Sequence, residues 1–192
     1  MVDLTKVTNF KRTESELQEF WLVAICVAGK NGPVQAAKVH NFLKGKTGRT
    51  PFGKIQKMID EGKLLERLQL VKMGQYKRIE RAFRESLSLN LKKSALEDLL
   101  QIPGVGNKTS RFFLLHSRAD CEYAVLDTHI LRYLRDVCGL KNIPKSTPIN
   151  HKHYLAIEAV ARDAIRAKFP KHSMAEADLK IWLTRSGRIK SA

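Results

Sequence analysis

The chain has 192 residues, enough for one domain of ordinary size with a sizeable core, itself divisible into two lobes. Its 35 Lys and Arg against 19 Asp and Glu give a formal net charge of +16 and a pI near 10.0, so a polyanionic partner is expected. The longest apolar run, FWLVAICVAG at 20–29, is about half the length of a membrane span, which turns the basic excess away from a membrane and towards nucleic acid.

The opening MVDLTKVTNFKRTESE lacks the basic start, apolar stretch and small-residue cleavage site of a signal peptide. Three cysteines, Cys26, Cys121 and Cys138, are odd in number and far apart. That pattern suits reduced, mostly buried thiols and an intracellular protein, and with the basic charge the expected place is with the DNA, in the cytoplasm or nucleoid if the source is prokaryotic.

Apolar spacing predicts helices nearly throughout. ESELQEFWLVAICVA, 14–28, reads as a helix that becomes buried on all sides, with Trp21 in the core, and GKN followed by GP stops it. PVQAAKVHNFLKG, 33–45, has Pro33 suited to a first turn and Gly45 just past the end. PFGKIQKMIDEGKLLERLQL carries Ile55, Met58, Ile59, Leu64, Leu65 and Leu68, which predict one or two short helices broken near Gly62. QYKRIERAFRESLSL is a further amphipathic helix. KSALEDLLQI opens with Ser94 three residues before Glu97, the spacing of a capping box. No stretch alternates long enough for a sheet.

Residues 38–78 hold eleven Lys and Arg against three Asp and Glu, half of the net charge. A solvated helical surface explains a single charge run. Here the excess persists over several helices and precedes a phosphate-binding motif, so it is assigned to the DNA-facing surface.

That motif is LEDLLQIPGVGNKTSRFFLLH. Two helices flank a tight turn at Pro103, Gly104, Val105 and Gly106, the second starting near Asn107. Glycine permits a positive φ or a close approach that a Cβ would obstruct. The second helix then aims its unpaired N–H groups, and the positive end of its dipole, beyond the turn, where a phosphate fits. Gly104, Val105, Gly106, Asn107 and Thr109 are therefore candidate DNA contacts. Lys108 is either a phosphate clamp or a nucleophile.

Fifteen residues past the lysine begins YAVLDTHILRYLRD, where Asp127 precedes a helix with Ile130, Leu131, Leu134 and Val137 on its apolar side. An N-cap is the plain role for that aspartate. A second role is within reach: the helix from 107 is about 15 Å long, and the connection 117–126 extends to roughly 33 Å. Asp127 can thus return beside Lys108. Such a pair suits cleavage of a base from its deoxyribose, with a carboxylate stabilising a cationic sugar and a neutral amine attacking the anomeric carbon. A free lysine is neutral in about one of 2,500 molecules at pH 7. A helix N-terminus and a partly dry groove raise that fraction.

The hairpin with Lys108 and VLDTHILR with Asp127 resemble the helix-hairpin-helix DNA glycosylase superfamily, which contains endonuclease III and the 8-oxoguanine glycosylases. The resemblance implies that Lys108 is the nucleophile of a bifunctional glycosylase and AP lyase, and that Asp127 is the essential acid. Many endonuclease III relatives hold an iron–sulfur cluster on four C-terminal cysteines. This chain has no cysteine after Cys138, so none is expected. Residues 154–190, with Glu176, Asp178, Leu179 and Trp182 in an E-x-D-L-x-x-W pattern and a Gly-Lys/Arg-rich end, are similar to the short type-2 8-oxoguanine glycosylases. That likeness places Trp182 at the base pocket and makes Lys190 the counterpart of a base-recognising terminal lysine. Ser191 and Ala192 follow it, a departure from the family. The stretch VAGKNGPVQAAK matches a loop that fills the gap left by a flipped base, with Lys30, Asn31 and Gln35 as candidates; a helix cap and its neighbours is the competing reading.

His129 can touch a phosphate or be satisfied within the fold. His151 and His153 have no third ligand at metal spacing and read as a solvated helix start, so no metal is assigned. The expectation is an all-α, two-lobed helical DNA glycosylase fold, one domain over 1–192, with the helix-hairpin-helix at about 95–117 and the active-site groove between the lobes. The expected partner is double-stranded DNA containing a damaged base, met by a monomer. No cofactor is expected beyond a monovalent cation at the hairpin. The activity expected is excision of a flipped oxidised purine, 8-oxoguanine. The alternatives are another lesion (an oxidised pyrimidine, uracil or mismatched thymine) or a non-enzymatic DNA-binding hairpin module.

Overall fold

The computed structural model describes residues 1–45 and 47–188, so Lys190 lies outside the described residues. Regular structure among those residues is helical: a 3₁₀ turn Leu4–Lys6, then α1 Glu14–Cys26, α2 Gly32–Leu43, α3 Pro51–Asp60, α4 Leu64–Leu70, α5 Tyr76–Ser86, α6 Leu96–Leu100, α7 Asn107–Ser117, α8 Thr128–Asp136, α9 His151–Lys168 and α10 Met174–Arg185. They form two compact units. Unit 1 comprises Met1–Lys6 with Lys11–Val105, and unit 2 comprises Val7–Phe10 with Gly106–Ala192.

Unit 1 is built around α1. Thr13 caps it in a full capping box with Glu16, and Phe20 to Cys26 are all buried, so the apolar run is a core helix flanked by α2, α3 and α5. Trp21 needs a partner for its indole N–H and finds one 2.8 Å away in Ser86 Oγ, which in turn donates to the Ala82 carbonyl. Burying each large apolar side chain of α1 stabilises the unit by roughly 1.5–3 kcal/mol. Burial also pushes the Cys26 thiol up to about 12, the mark of an inert structural cysteine. The punctuation falls where glycine permits a left-handed residue: Gly62, at φ +68, separates α3 from α4.

Two expectations are corrected here. Ser94 does not cap α6. The helix begins one residue later, with Ala95 N–H donating to Asp98 at 2.8 Å, while the Ser94 hydroxyl donates to Asn90 O. Val137 leaves the apolar side of α8, being the C-cap and about half exposed, because the helix ends at Asp136.

In unit 2, α10 packs against α7, α8 and α9. Their shared core includes Leu115, Leu126, Ile130, Leu131, Leu134, Tyr154, Ile165 and Ile181. Ser173 and Glu176 form a capping box that starts α10, and Asn150 caps α9. No helix among the described residues is long and apolar enough to cross a membrane.

Candidate active site

The hairpin turn needs Gly104 at φ +78, a conformation that a Cβ disfavours. A Cβ there would also lie 2.6 Å from Arg78 Cγ. Arg78 ties three parts of unit 1 together, donating to the Gly104 carbonyl at 2.9 Å, to Ile25 O at 3.0 Å and to Gln75 Oε1 at 2.9 Å. Gln75 itself sits in the left-handed region at φ 49. The chain enters unit 2 at Gly106, which caps α7 without a side chain, leaving the first-turn N–H groups with no side-chain acceptor. A Cβ on Gly106 would meet nothing within 4 Å, so the space over that turn is open to an anion.

Lys108 occupies the first turn of α7 and is largely buried. Removal from water favours its neutral amine, and the charge of Asp127 opposes that effect. Asp127 caps α8, its Oδ1 accepting from His129 N–H and Ile130 N–H at 2.8 Å each. Burial, then the neighbouring charge of Asp178, raise its pKa against the pull of the Ile130 hydrogen bond, His129 and Lys108. The expected return of Asp127 to the start of α7 is thus what the fold provides, and the aspartate is a cap as well.

A buried ion pair fixes both chain segments. Arg111, one turn after Asn107, donates through Nε to both oxygens of Glu158 at 2.9 and 2.8 Å and through Nη1 to Asn107 Oδ1 at 2.9 Å. Glu158 also accepts Ala124 N–H at 3.1 Å. Tyr154 hydroxyl donates to Ala124 O and accepts from Leu126 N–H, both at 3.1 Å. Residues 124–126, which deliver Asp127, and Asn107, which precedes Lys108, therefore hang on one network anchored to α9.

Other expected site residues have different fates. Val105 is buried and its N–H donates to Ile102 O, and the Thr109 side chain is buried, so neither offers a side chain to DNA. Asn107 Oδ1 is held by Arg111 and by His151 Nδ1 at 2.9 Å. Lys30 Nζ donates to Met73 O at 2.7 Å, and Asn31 caps α2. Gln35 is buried at 4 % exposure, with its Oε1 lacking a hydrogen-bond partner. His129 Nδ1 is buried without a hydrogen-bond partner. Trp182 is half-buried rather than core, edge-on to His129 at 6.4 Å and capped by the Arg188 guanidinium at 4.4 Å. The basic run at 38–78 has internal duties: Lys38, Lys54, Arg67 and Arg78 all donate to backbone carbonyls.

Asp178 was missed as a site residue. It is buried one helical turn before Trp182, its Oδ2 lies 3.2 Å from His116 Nε2, and its Oδ1 has no partner. The signal lay in the E-x-D-L-x-x-W spacing, which puts Asp178 and Trp182 at i and i+4 on one face.

The all-helical fold is shared with solved 8-oxoguanine DNA glycosylases. The 8-oxoguanine glycosylase/lyase of Methanocaldococcus jannaschii in complex with a 15mer DNA containing 8-oxoguanine matches 98% of this chain and 89% of its own, with a TM-score of 0.65 and 23% identity. A second structure of the Methanocaldococcus jannaschii 8-oxoguanine DNA glycosylase matches 97% and 86%, at TM-score 0.66 and 22% identity. The 8-oxoguanine DNA glycosylase of Thermotoga maritima matches 90% and 81%, at 0.62 and 21%. No family model matches the chain.

Proposed function

We propose that this chain is a DNA glycosylase of base excision repair that removes 8-oxoguanine from duplex DNA, and that Lys108 also makes it an AP lyase. The observation that carries this reading is the placement of Lys108: an amine whose neutral form is favoured by burial, in the first turn of an uncapped helix, within the field of a buried carboxyl. A phosphate clamp would use the charged form of the lysine, which burial disfavours. A nucleophile needs the neutral form.

In the proposed reaction Lys108 Nζ bonds to C1′ of the damaged nucleotide as the C1′–N9 bond breaks, and the base leaves with the electron pair. Asp127 stabilises the positive charge that develops on the sugar. The amine then loses a proton and the sugar ring opens to a Schiff base. Loss of a C2′ proton expels the 3′ phosphate, completing β-elimination. Gly104, Gly106 and Asn107 grip the DNA backbone through the turn and the first-turn N–H groups. His129 and Trp182 border the damaged base, and Lys190 reads it. 8-Oxoguanine carries a hydrogen on N7 where guanine has a lone pair, so the unpartnered Asp178 Oδ1 is a fitting acceptor. A monovalent cation at the hairpin would use carbonyls other than that of Gly104, which Arg78 occupies. The protein acts as a monomer on duplex DNA in the cell interior.

Incubation with duplexes carrying 8-oxoguanine, an oxidised pyrimidine, uracil or a mismatched thymine tests this directly. Release of 8-oxoguanine with strand cleavage is expected. Selective release of another base replaces the substrate, and tight binding with no release on any duplex leaves a DNA-binding module.

A further inference from the structure

His116 lies on α7 in the interior of unit 2 with none of its surface exposed. Its Nδ1 is 2.8 Å from Thr8 Oγ1 and its Nε2 is 3.2 Å from Asp178 Oδ2. The short stretch Val7–Phe10 belongs to unit 2, although the residues before and after it belong to unit 1. It is held at this histidine a second time, by Asn9 N–H donating to the His116 carbonyl at 3.1 Å. The Phe112 ring, 5.0 Å away and edge-on, closes another side.

Such a hydroxyl–imidazole–carboxylate chain is costly to bury. An apolar trio of similar volume would fill the space without desolvating a carboxylate. Its inner end is Asp178, whose negative charge acts on Asp127 and whose Oδ1 is unpartnered.

We propose that His116 is a positioning residue for base excision that acts through Asp178: clasped by Thr8, it holds Asp178 as an oriented carboxylate beside Asp127 and so governs the acid that excision uses. In the neutral ring, Thr8 O–H donating to Nδ1 leaves the proton on Nε2, where it faces Asp178. The opposite tautomer would set a lone pair against the carboxylate. Charged groups on three helices act on Asp127. Lys108 on α7 and His129 on α8 favour its charge, and Asp178 on α10 opposes it. From α9 comes the Tyr154 phenol, hydrogen-bonded to residues 124 and 126, with the Arg111–Glu158 pair next to it. Burial first, and then the charge of Asp178, raise the Asp127 pKa, and His116 is the group that keeps Asp178 in place.

This inference rests on the proposed excision activity, so the test has an arm that needs no DNA. In the full chain labelled with ¹³C at aspartate carboxyls, the Asp127 resonance is assigned by its loss in Asp127→Asn and titrated in the wild type and in variants. Asp178→Asn and His116→Phe should each lower the Asp127 midpoint by about one pH unit. His116→Gln, whose amide still donates towards Asp178, should retain it. The acid limb of single-turnover 8-oxoguanine excision should move with the midpoint in His116→Phe and return in His116→Gln. An unmoved midpoint in folded His116→Phe overturns the proposal. If that variant does not fold, Thr8→Val and Asp178→Asn decide, and unmoved midpoints in both overturn it. A wild type that releases no 8-oxoguanine defeats the functional reading, while the carboxyl titration still decides the clasp.

Discussion

Replacing Asp127 by Asn separates the two roles of this residue. Asn keeps the carbonyl oxygen that accepts from His129 and Ile130, each now at 2.8 Å, and is nearly equal to Asp as an N-cap, where Ala would cost about 1 kcal/mol. The substitution removes a carboxyl that burial and Asp178 both discourage from ionising. Because the folded pKa lies above the ordinary value of 3.8, the folded state binds more protons than the unfolded state between those two values, so wild-type stability falls as pH rises through that window. At neutral pH the variant is therefore the more stable protein, because it buries no ionised carboxyl at this position. Each kcal/mol raises the melting temperature by about 2–4 °C for a chain of this size. Below pH ~3.8 both forms are neutral in both states and the gain disappears. Base excision moves the other way. Loss of one preorganised group facing developing charge removes about 3–4 kcal/mol of transition-state stabilisation, roughly a hundred- to thousand-fold in rate. Calorimetry at pH 7 and pH 3.5 and single-turnover excision at pH 7 measure the two sides. A variant that melts well below the wild type at pH 7 and excises normally would refute the reasoning and leave Asp127 a cap alone.

Lys108→Gln should abolish borohydride cross-linking to lesion DNA while leaving duplex binding within a few-fold, since the N–H groups of the α7 turn remain; undiminished trapping would assign the nucleophile elsewhere. Binding to undamaged duplex should weaken with salt at a log–log slope of roughly −5 for six phosphate contacts, and a flat titration would remove the 38–78 surface from the DNA face. Glu158→Ala should cost about 3–5 kcal/mol, because it strands the Arg111 guanidinium in the interior. Thermal melts measure that loss, and one under about 1 kcal/mol would show that the pair does not hold the segment before Asp127.

The sequence by itself determined the helical class and most helix boundaries, and it singled out Lys108 and Asp127 as the candidate pair. These are local properties: apolar residues repeat at helical spacing, Pro33 and Gly45 bracket α2, Gly62 divides α3 from α4, and the turn at Gly104 admits little but glycine. Chain reach also allows Asp127 to come back towards Lys108, and the charge of each acts on the other in the fold. Capping failed at Ser94 because several residues compete for one helix start, and Asp98 settles it at Ala95. What only the tertiary structure decided joins residues far apart in the chain. Gln35 is buried and Lys30 is spent on Met73, 43 residues away. Arg111 meets Glu158 at a separation of 47, Asp178 meets His116 at 62, and Thr8 meets His116 at 108. No local pattern marks such partners, because a buried polar group is defined by what satisfies it, and that partner is supplied only when distant helices pack.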